Sequence, residues 1–199
     1  IWKDFYGRGF RHLFLESPYF YAQFLNLWIN SEDDLILDEL WLDNKGTAGN
    51  SDFDREFFIK TKLFCPKTIF HGTDIGHAYD STGKRYLESV SPDSEEYRLA
   101  FENAEQGRKY YEKWQEKCGE SYFEGSREKA MTENFIREFD KANCDIVGFY
   151  GEAHIFPEYG TSLGISENMC SMLKKHYGEG TKIVPKLLKN LINPISHTE

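Results

Sequence analysis

The sequence predicts an α/β fold, with a mostly parallel central sheet and helices on both faces. Short apolar runs alternate along the chain with longer segments of helical periodicity. Their order is strand, several helices, strand, helices, strand, helix, strand, which is typical of parallel strands joined through helices. With 199 residues, 40% of them hydrophobic and 16% aromatic, the chain can build one core, so we expect a single domain over residues 1–199.

Composition and charge exclude several functional classes. The formal net charge is −9, and no cluster of Lys and Arg offsets it, so we expect no binding to nucleic acid. No run approaches the roughly 20 apolar residues of a membrane-spanning helix, and the first residues given do not show the basic-then-apolar pattern of a signal segment. Because Cys65, Cys118, Cys144 and Cys170 are widely spaced, we expect reduced core cysteines in a cytoplasmic protein.

The first half of the chain predicts two strands and several helices. An apolar strand over 10–16 ends at Ser17-Pro18, where Ser17 is expected to cap the next helix and Pro18 to occupy its first position. Ser31 is expected to begin a second helix, because three acidic residues follow it. The remaining predictions are a loop over 43–52, a helix over 52–64, a strand over 67–70, a loop over 71–74, irregular chain over 80–94, and one or two exposed helices over 95–117.

The second half contains the clearest helical pattern, over 126–142, with Met131 and Phe135 on its inner face. Six further predictions follow it: a strand over 145–150, a break at 151–154, a loop rich in Gly and Pro to about residue 165, a helix over 166–176 that ends at Gly178, a last short strand over 182–184, and a frayed tail over 193–199.

Polar residues stand at the ends of three predicted strands: Glu16, the segment 71–77, and the segment 151–154. In parallel sheets, ligands bind at the carboxyl ends of the strands. His154 can serve there as a general base, a leaving-group acid or a metal ligand, or it can be a structural histidine. Glu16 either caps the next helix or works as an acid or base in a cleft.

Two further charged residues have alternative interpretations. Glu152 would point the same way as His154 if the strand continued, or it is a solvated loop acid. Arg127 can clamp an anionic group, or pair with a neighbouring Glu on the surface. The segment 71–77 (HGTDIGH) has a metal-like composition, but its spacing matches no metal motif, so we expect no metal site. No dinucleotide, P-loop or serine-hydrolase motif occurs, and the sequence specifies no cofactor.

Five segments, in one shared order, resemble the motifs of the erythromycin-esterase-like group, which belongs to a wider superfamily with the Tiki and TraB proteins. They are 14–16 (FLE) followed by 25–26 (LN), 69–75 (IFHGTDI), 127–134 with Glu128 in place of the usual Asp, 148–155 (GFYGEAHI), and 171–178 (SMLKKHYG). The resemblance spans roughly residues 10 to 184.

The resemblance implies a hydrolase that cleaves an ester or peptide bond in a small molecule or peptide, with water activated by Glu and His. It places Glu16 and His154 in the catalytic cleft with Arg127 in support, so we expect these three to lie together, with Glu152 beside them. The substrate-binding residues that we expect from the matched motifs are His71, Asp74, Tyr19 and Asn134.

One motif of the superfamily is absent. Its members begin with a strand ending in Gly-Glu-x-x-His, whereas this chain has 15 residues before Glu16 and none of them shows that pattern. The first residue is Ile rather than Met, so we expect either that a preceding segment was cleaved or that residues upstream are missing. The alternatives are a non-catalytic member that binds a small molecule or haem, and an interaction domain of a larger protein such as a toxin.

Overall fold

The computed structural model describes residues 1–47, 50–116, 125–156 and 167–178. Three parallel strands form one sheet in the order β2–β1–β3, which confirms the predicted α/β fold. The strands are β1 (His12–Pro18), β2 (Ile69–Asp74) and β3 (Val147–Phe149). Leu13 of the central strand pairs with Phe70 of β2 and with Val147 of β3.

Nine helices and one π-helical turn accompany these strands in the described residues. The helices are α1 (Trp2–Gly7), α2 (Tyr19–Trp28), α3 (Leu35–Asp43), α4 (Asp52–Phe64), α5 (Lys84–Ser89), α6 (Glu95–Glu116), α7 (Gly125–Ala142), α8 (Glu152–Ile155) and α9 (Met169–Tyr177). The π-helical turn, Tyr79–Gly83, leads directly into α5. None of these helices combines the length and apolar character that crossing a membrane requires.

Helices cover the sheet on both faces. Successive residues of a strand point to opposite sides, so each strand contributes side chains to both faces. On one face, the ring of Phe14 lies 5.0 Å from that of Phe135 in α7. On the other face, the ring of Phe70 lies 6.0 Å from that of Phe58 in α4. Phe14 and Phe70 have no exposed surface, so the central strand and β2 form the middle of the core.

The boundaries of β2 differ most from the prediction. The strand begins at Ile69 and continues to Asp74, through the segment 71–74 that the sequence predicts as a loop. His71, Thr73 and Asp74 are polar, but each has a hydrogen-bond partner inside the fold. Polar residues therefore occupy a buried strand here because their partners lie on distant segments, which local composition does not indicate.

Two predicted helix caps are wrong. The strand β1 runs through Pro18, so α2 begins at Tyr19, and the buried hydroxyl of Ser17 has no hydrogen-bond partner among the described residues. The Ser31 hydroxyl donates to the carbonyl of Trp28 at 2.7 Å, and α3 begins only at Leu35. Neither serine hydroxyl therefore caps the first turn of a helix.

Several predicted elements are confirmed. The helix α4 has the predicted bounds, α6 is one continuous helix, and α9 ends at Gly178. The region 80–94, predicted to be irregular, contains the π-helical turn and α5, and α1 was not predicted. The loop before residue 165, the strand over 182–184 and the tail over 193–199 lie outside the described residues.

The cysteines follow the prediction in part. Cys65 and Cys170 are free and buried, as expected. Cys144 is free but exposed, because it lies in the turn between α7 and β3 rather than in the core. Cys118 lies outside the described residues.

A side-chain amide pairs with the outer edge of β2. Ile69 donates its N–H to the carbonyl of Arg11, the residue just before β1, so the backbone groups of the next residue, Phe70, point away from β1. Asn26 of α2 satisfies both of them, since its Oδ1 accepts from the Phe70 N–H at 2.8 Å and its Nδ2 donates to the Phe70 carbonyl at 2.9 Å. One side chain thus replaces a neighbouring strand at this position.

We expect Asn26→Ala to lower the free energy of unfolding by about 1–3 kcal/mol, because it leaves a buried N–H and a buried C=O without partners. Urea unfolding monitored by circular dichroism measures the change. Asn30→Ala is the matched control, since Asn30 lies one helical turn later, is exposed and makes one bond, to the Asn26 carbonyl. Its effect should stay within about 0.5 kcal/mol, and equal effects of the two variants would contradict the pairing.

Two glycines allow α6 to pack tightly beside the end of β2. A Cβ on Gly107 would lie 2.0 Å from the carbonyl oxygen of Gly76, and a Cβ on Gly76 would lie 2.4 Å from the carbonyl oxygen of Asn103. Only residues without a side chain tolerate such backbone contact. The close approach brings Asn103 within 2.7 Å of the Asp74 carbonyl and so fixes the carboxyl end of β2.

Candidate active site

Glu16 lies near the carboxyl end of the central strand, on the face that α7 covers. Its Oε1 accepts hydrogen bonds from Arg127 Nη2 at 3.0 Å and from His154 Nε2 at 3.1 Å. Its Oε2 accepts from the backbone N–H of Gly151 at 2.6 Å. A Cβ on Gly151 would lie 3.1 Å from that oxygen, so glycine suits this position. Glu16, Arg127 and His154 are therefore in direct contact.

His154 lies on α8, immediately after β3, and both of its ring nitrogens face carboxylates. Nε2 donates to Glu16, and Nδ1 donates to Glu128 Oε1 at 2.5 Å. Burial by itself lowers the pKa of His154, but the hydrogen bonds to Glu128 and Glu16 and their charges outweigh it and raise the pKa to about 9. The side chain is thus an imidazolium at neutral pH.

Glu128 holds this imidazolium from the buried side. It lies on α7 next to Arg127, and its side chain is 3% exposed. Its second oxygen, Oε2, accepts from the backbone N–H of Met169, at the start of α9, at 2.9 Å. Both carboxylate oxygens are therefore bonded, which fixes the orientation of the His154 ring.

Arg127 connects the carboxylate of Glu16 to that of Asp74. Its Nε donates to Asp74 Oδ1 at 3.0 Å and its Nη2 donates to Oδ2 at 2.6 Å, a two-pronged arrangement that arginine favours. Asp74 is 1% exposed. Burial by itself raises the pKa of Asp74, but hydrogen bonds from His77 and Arg127 and the charge of Arg127 hold it far below its ordinary value.

The network continues from Asp74 toward α6. His77 Nε2 lies 3.0 Å from Asp74 Oδ2, and His77 Nδ1 lies 2.5 Å from the hydroxyl of Tyr111. Seven side chains thus form one hydrogen-bonded series, in the order Glu128, His154, Glu16, Arg127, Asp74, His77 and Tyr111. We call it the acid–base network.

Within this network, Glu16 carries a negative charge and His154 a positive charge, and each charge stabilises the other. Burial raises the pKa of Glu16, but the hydrogen bond and charge of His154, with the Gly151 amide, outweigh it, so the pKa lies below its ordinary value. The side chain of Glu16 is 26% exposed, against 7% for His154. Glu16 is therefore an ionised carboxylate that solvent reaches.

Tyr19 and Asn134, expected to bind substrate, are buried and support the backbone around the network. Asn134 Nδ2 donates to the carbonyl of Thr73 at 3.2 Å, and the backbone N–H of Tyr19 donates to Asn103 Oδ1 at 2.9 Å. The same Asn103 holds the Asp74 carbonyl. The structure thus brings these residues beside the network, where they fix the ends of two strands.

His71 and Glu152 lie outside the network. The side chain of Glu152 is exposed at the first position of α8 and makes none of the bonds described above. His71 lies in the middle of β2, where its Nδ1 donates to Glu138 Oε2 at 3.0 Å and its Nε2 faces His12 Nδ1 at 2.9 Å. His12, His71 and Glu138 form a second group, which lies toward the amino ends of the strands because α7 runs along the sheet from Arg127 to Glu138.

The contact between the two histidines predicts loss of stability in acid. Burial, and then the charge of His71, lower the pKa of His12 below its ordinary 6.5. The unfolded chain therefore binds this proton more readily, and stability falls as the pH drops below about 6.5 toward the folded pKa. We expect His12→Gln to reduce this fall, measured as urea midpoints between pH 7 and pH 4.5. His176→Gln is the control, because His176 lies on α9, away from His12 and His71. An identical dependence of the urea midpoint on pH in the two variants would contradict the prediction.

Glu128 was not among the site residues predicted from the sequence. A signal was present, since Glu128 precedes Met131 by three residues and Phe135 by seven, which places a carboxylate on the inner stripe of α7. No comparable local signal links Arg127 to Asp74 or His77 to Tyr111. Those pairs depend on the packing of α7 and α6 against β2.

No group of three or more His, Cys, Asp or Glu side chains in the described ranges has a geometry that could hold a metal ion. Comparisons with protein-family models, curated proteins and solved structures found no significant match to this chain. The resemblance to the erythromycin-esterase-like superfamily therefore stays a prediction from the motifs.

Proposed function

We propose that this protein is a hydrolase of the erythromycin-esterase-like superfamily that cleaves an ester or peptide bond with water activated by Glu16 and His154. One observation carries the proposal: Glu16 Oε1 lies 3.1 Å from His154 Nε2 and 3.0 Å from Arg127 Nη2 at the carboxyl end of the central strand. The acid and the fixed cation thus both contact one oxygen atom of the base. Acyl transfer needs these three groups.

The opposite pKa shifts assign the roles of the two titrating groups. Glu16 is held ionised and partly exposed, so it is the base that removes a proton from the attacking water. His154 is held protonated, so it is the acid that gives a proton to the leaving oxygen or nitrogen. Because the two side chains are hydrogen-bonded, the proton that Glu16 gains returns to His154, and the pair is reset after each turnover.

Arg127 stabilises the negative charge that develops on the carbonyl oxygen. Asp74 holds the guanidinium through Nε and Nη2, which keeps it positioned without further reorganisation during the reaction. Glu128 acts through His154 by fixing its ring. The products are a carboxylic acid and an alcohol or amine.

The experiment is hydrolysis of a panel of nitrophenyl esters, lactones and fluorogenic peptides by the purified chain. Glu16→Gln and His154→Gln should each lower kcat by roughly 10²- to 10⁴-fold on any substrate that is turned over. Glu133→Gln is the matched control, because Glu133 is an exposed acid on α7 that pairs with Lys129. Turnover that survives both site substitutions would overturn the assignment.

A second candidate is a non-catalytic binding member of the same superfamily. The observation that favours it is that both ring nitrogens of His154 and both carboxylate oxygens of Glu16 already have partners within the chain. A catalytic pair must exchange one of these bonds for substrate. Absence of turnover across the panel, together with a bound ligand whose affinity falls in Glu16→Gln, would favour this candidate.

A further inference from the structure

A separate pocket lies between the π-helical turn, α5 and α6, outside the acid–base network. Its volume is about 520 Å³, within the roughly 300–1,000 Å³ that small-molecule sites occupy. Ala104 and Leu87 form apolar parts of its lining. Three aromatic side chains also line it: Tyr79, Tyr97 and Phe101. Phe101 is 47% exposed, which leaves an aromatic ring in water at the edge of the pocket.

The backbone at one wall is unusual. Ala78 has φ 55°, a left-handed conformation that residues with a side chain rarely adopt, and the π-helical turn follows it directly. Both features are concentrated at functional sites. Together they present Tyr79 and Asp80, the first two residues of the turn, to the pocket.

The charges around the pocket are unequal. Three acidic and two basic side chains line it. Arg108 pairs with Glu105 at 3.3 Å, and Lys84 with Glu88 at 3.9 Å. The carboxylate of Asp80 has no ion-pair partner in the part of the chain that the structure describes. A positively charged ligand would balance the charge of this third carboxylate.

The aromatic rings favour the same kind of ligand. The guanidinium of Arg108 lies over the ring of Tyr79, 5.7 Å from its centroid, so an aromatic ring of this lining already stabilises a positive charge. The rings of Tyr97 and Phe101 are stacked parallel, at 6° and 6.3 Å between centroids. Aromatic faces next to a carboxylate are the chemistry that recognises quaternary ammonium groups.

We propose that this pocket binds a small organic cation, an alkylated ammonium compound, through the rings of Tyr79, Tyr97 and Phe101 and the carboxylate of Asp80. The apolar lining contacts the alkyl groups, while Asp80 and the ring faces stabilise the charge. The site is distinct from the proposed hydrolytic centre, since none of its lining residues belongs to the acid–base network. The two adjoin at one point, where the ring of Tyr79 lies 6.4 Å from that of Tyr111.

The test uses choline as the probe and its neutral carbon isostere, dimethylbutanol, as the comparison, in ligand-observed NMR titrations of the whole chain. We expect choline to bind with a Kd roughly tenfold lower than that of the isostere. Asp80→Asn and Phe101→Leu should each raise the Kd for choline by about fivefold or more, and Glu102→Gln, an exposed acid outside the lining, should leave it unchanged.

Three outcomes would overturn the proposal: no saturable binding of choline, equal affinity for the isostere, or unchanged affinity in both pocket variants. Asp80 and Phe101 are exposed, so these substitutions spare the core. The urea midpoint of each variant checks that the fold is retained.

Discussion

Replacing Arg127 with alanine is expected to lower the free energy of unfolding by about 3–5 kcal/mol. The substitution removes the only guanidinium that contacts Asp74 in the described residues, and Asp74 is 1% exposed. Asp74 would keep its hydrogen bond to His77 but lose both bonds to the guanidinium. The buried carboxylate must then either remain charged with less support or bind a proton, and both destabilise the fold. Urea unfolding at pH 7 measures the loss.

Arg98→Ala provides the matched control. Arg98 also pairs with two carboxylates, Glu95 and Glu102, but it is 55% exposed on α6, so its removal should cost no more than about 0.5 kcal/mol. Arg127→Lys should recover part of the loss, because it keeps the charge without the two-pronged geometry. A loss below about 1 kcal/mol for Arg127→Ala would contradict the role given to the pair.

The second large effect is a loss of stability in alkaline solution that depends on His154. Its pKa is raised from 6.5 to about 9, so the folded protein holds a proton that the unfolded chain releases near pH 6.5. The resulting stabilisation is fully present below pH 6.5 and is lost as the pH rises through about 9. A shift of this size corresponds to a contribution on the order of 3 kcal/mol.

The measurement is the free energy of unfolding of the wild type and of His154→Gln at intervals from pH 6 to pH 10. Lys, Tyr and Cys side chains titrate in both proteins, so the difference between the two curves isolates His154. That difference should be large at pH 6 and should shrink toward pH 10. A constant difference would show that His154 is not protonated in the folded state. His176→Gln, on α9, should follow the wild type throughout.

Glu128 connects these two predictions to the proposed chemistry. It keeps His154 protonated and oriented, so Glu128→Gln should shift the alkaline loss of stability toward lower pH. Arg127 and Glu128 are neighbours on α7, yet one supports Asp74 and the other His154. The first turn of this helix therefore positions both cations against Oε1 of Glu16.

The sequence by itself determined the α/β class, the helices α4, α6 and α7, and the end of α9 at Gly178, because these depend on periodicity and on residues next to one another. It also selected Glu16 and His154 at strand ends, and the resemblance of the motifs added Arg127. Polar residues after apolar strands mark the carboxyl edge of a parallel sheet, and that rule holds without knowledge of the partners.

Only the tertiary structure decided what these residues contact. Glu16 meets Arg127 across 111 positions of sequence and His154 across 138. Three features depend on which side chain supplies a buried hydrogen bond. They are the continuation of β2 through His71 and Asp74, the separation of His71 from the network, and the pairing of Glu128 with His154. Such partners come from α6, α7 and α8, and a polar residue carries no local signal of whether a distant partner or water will satisfy it.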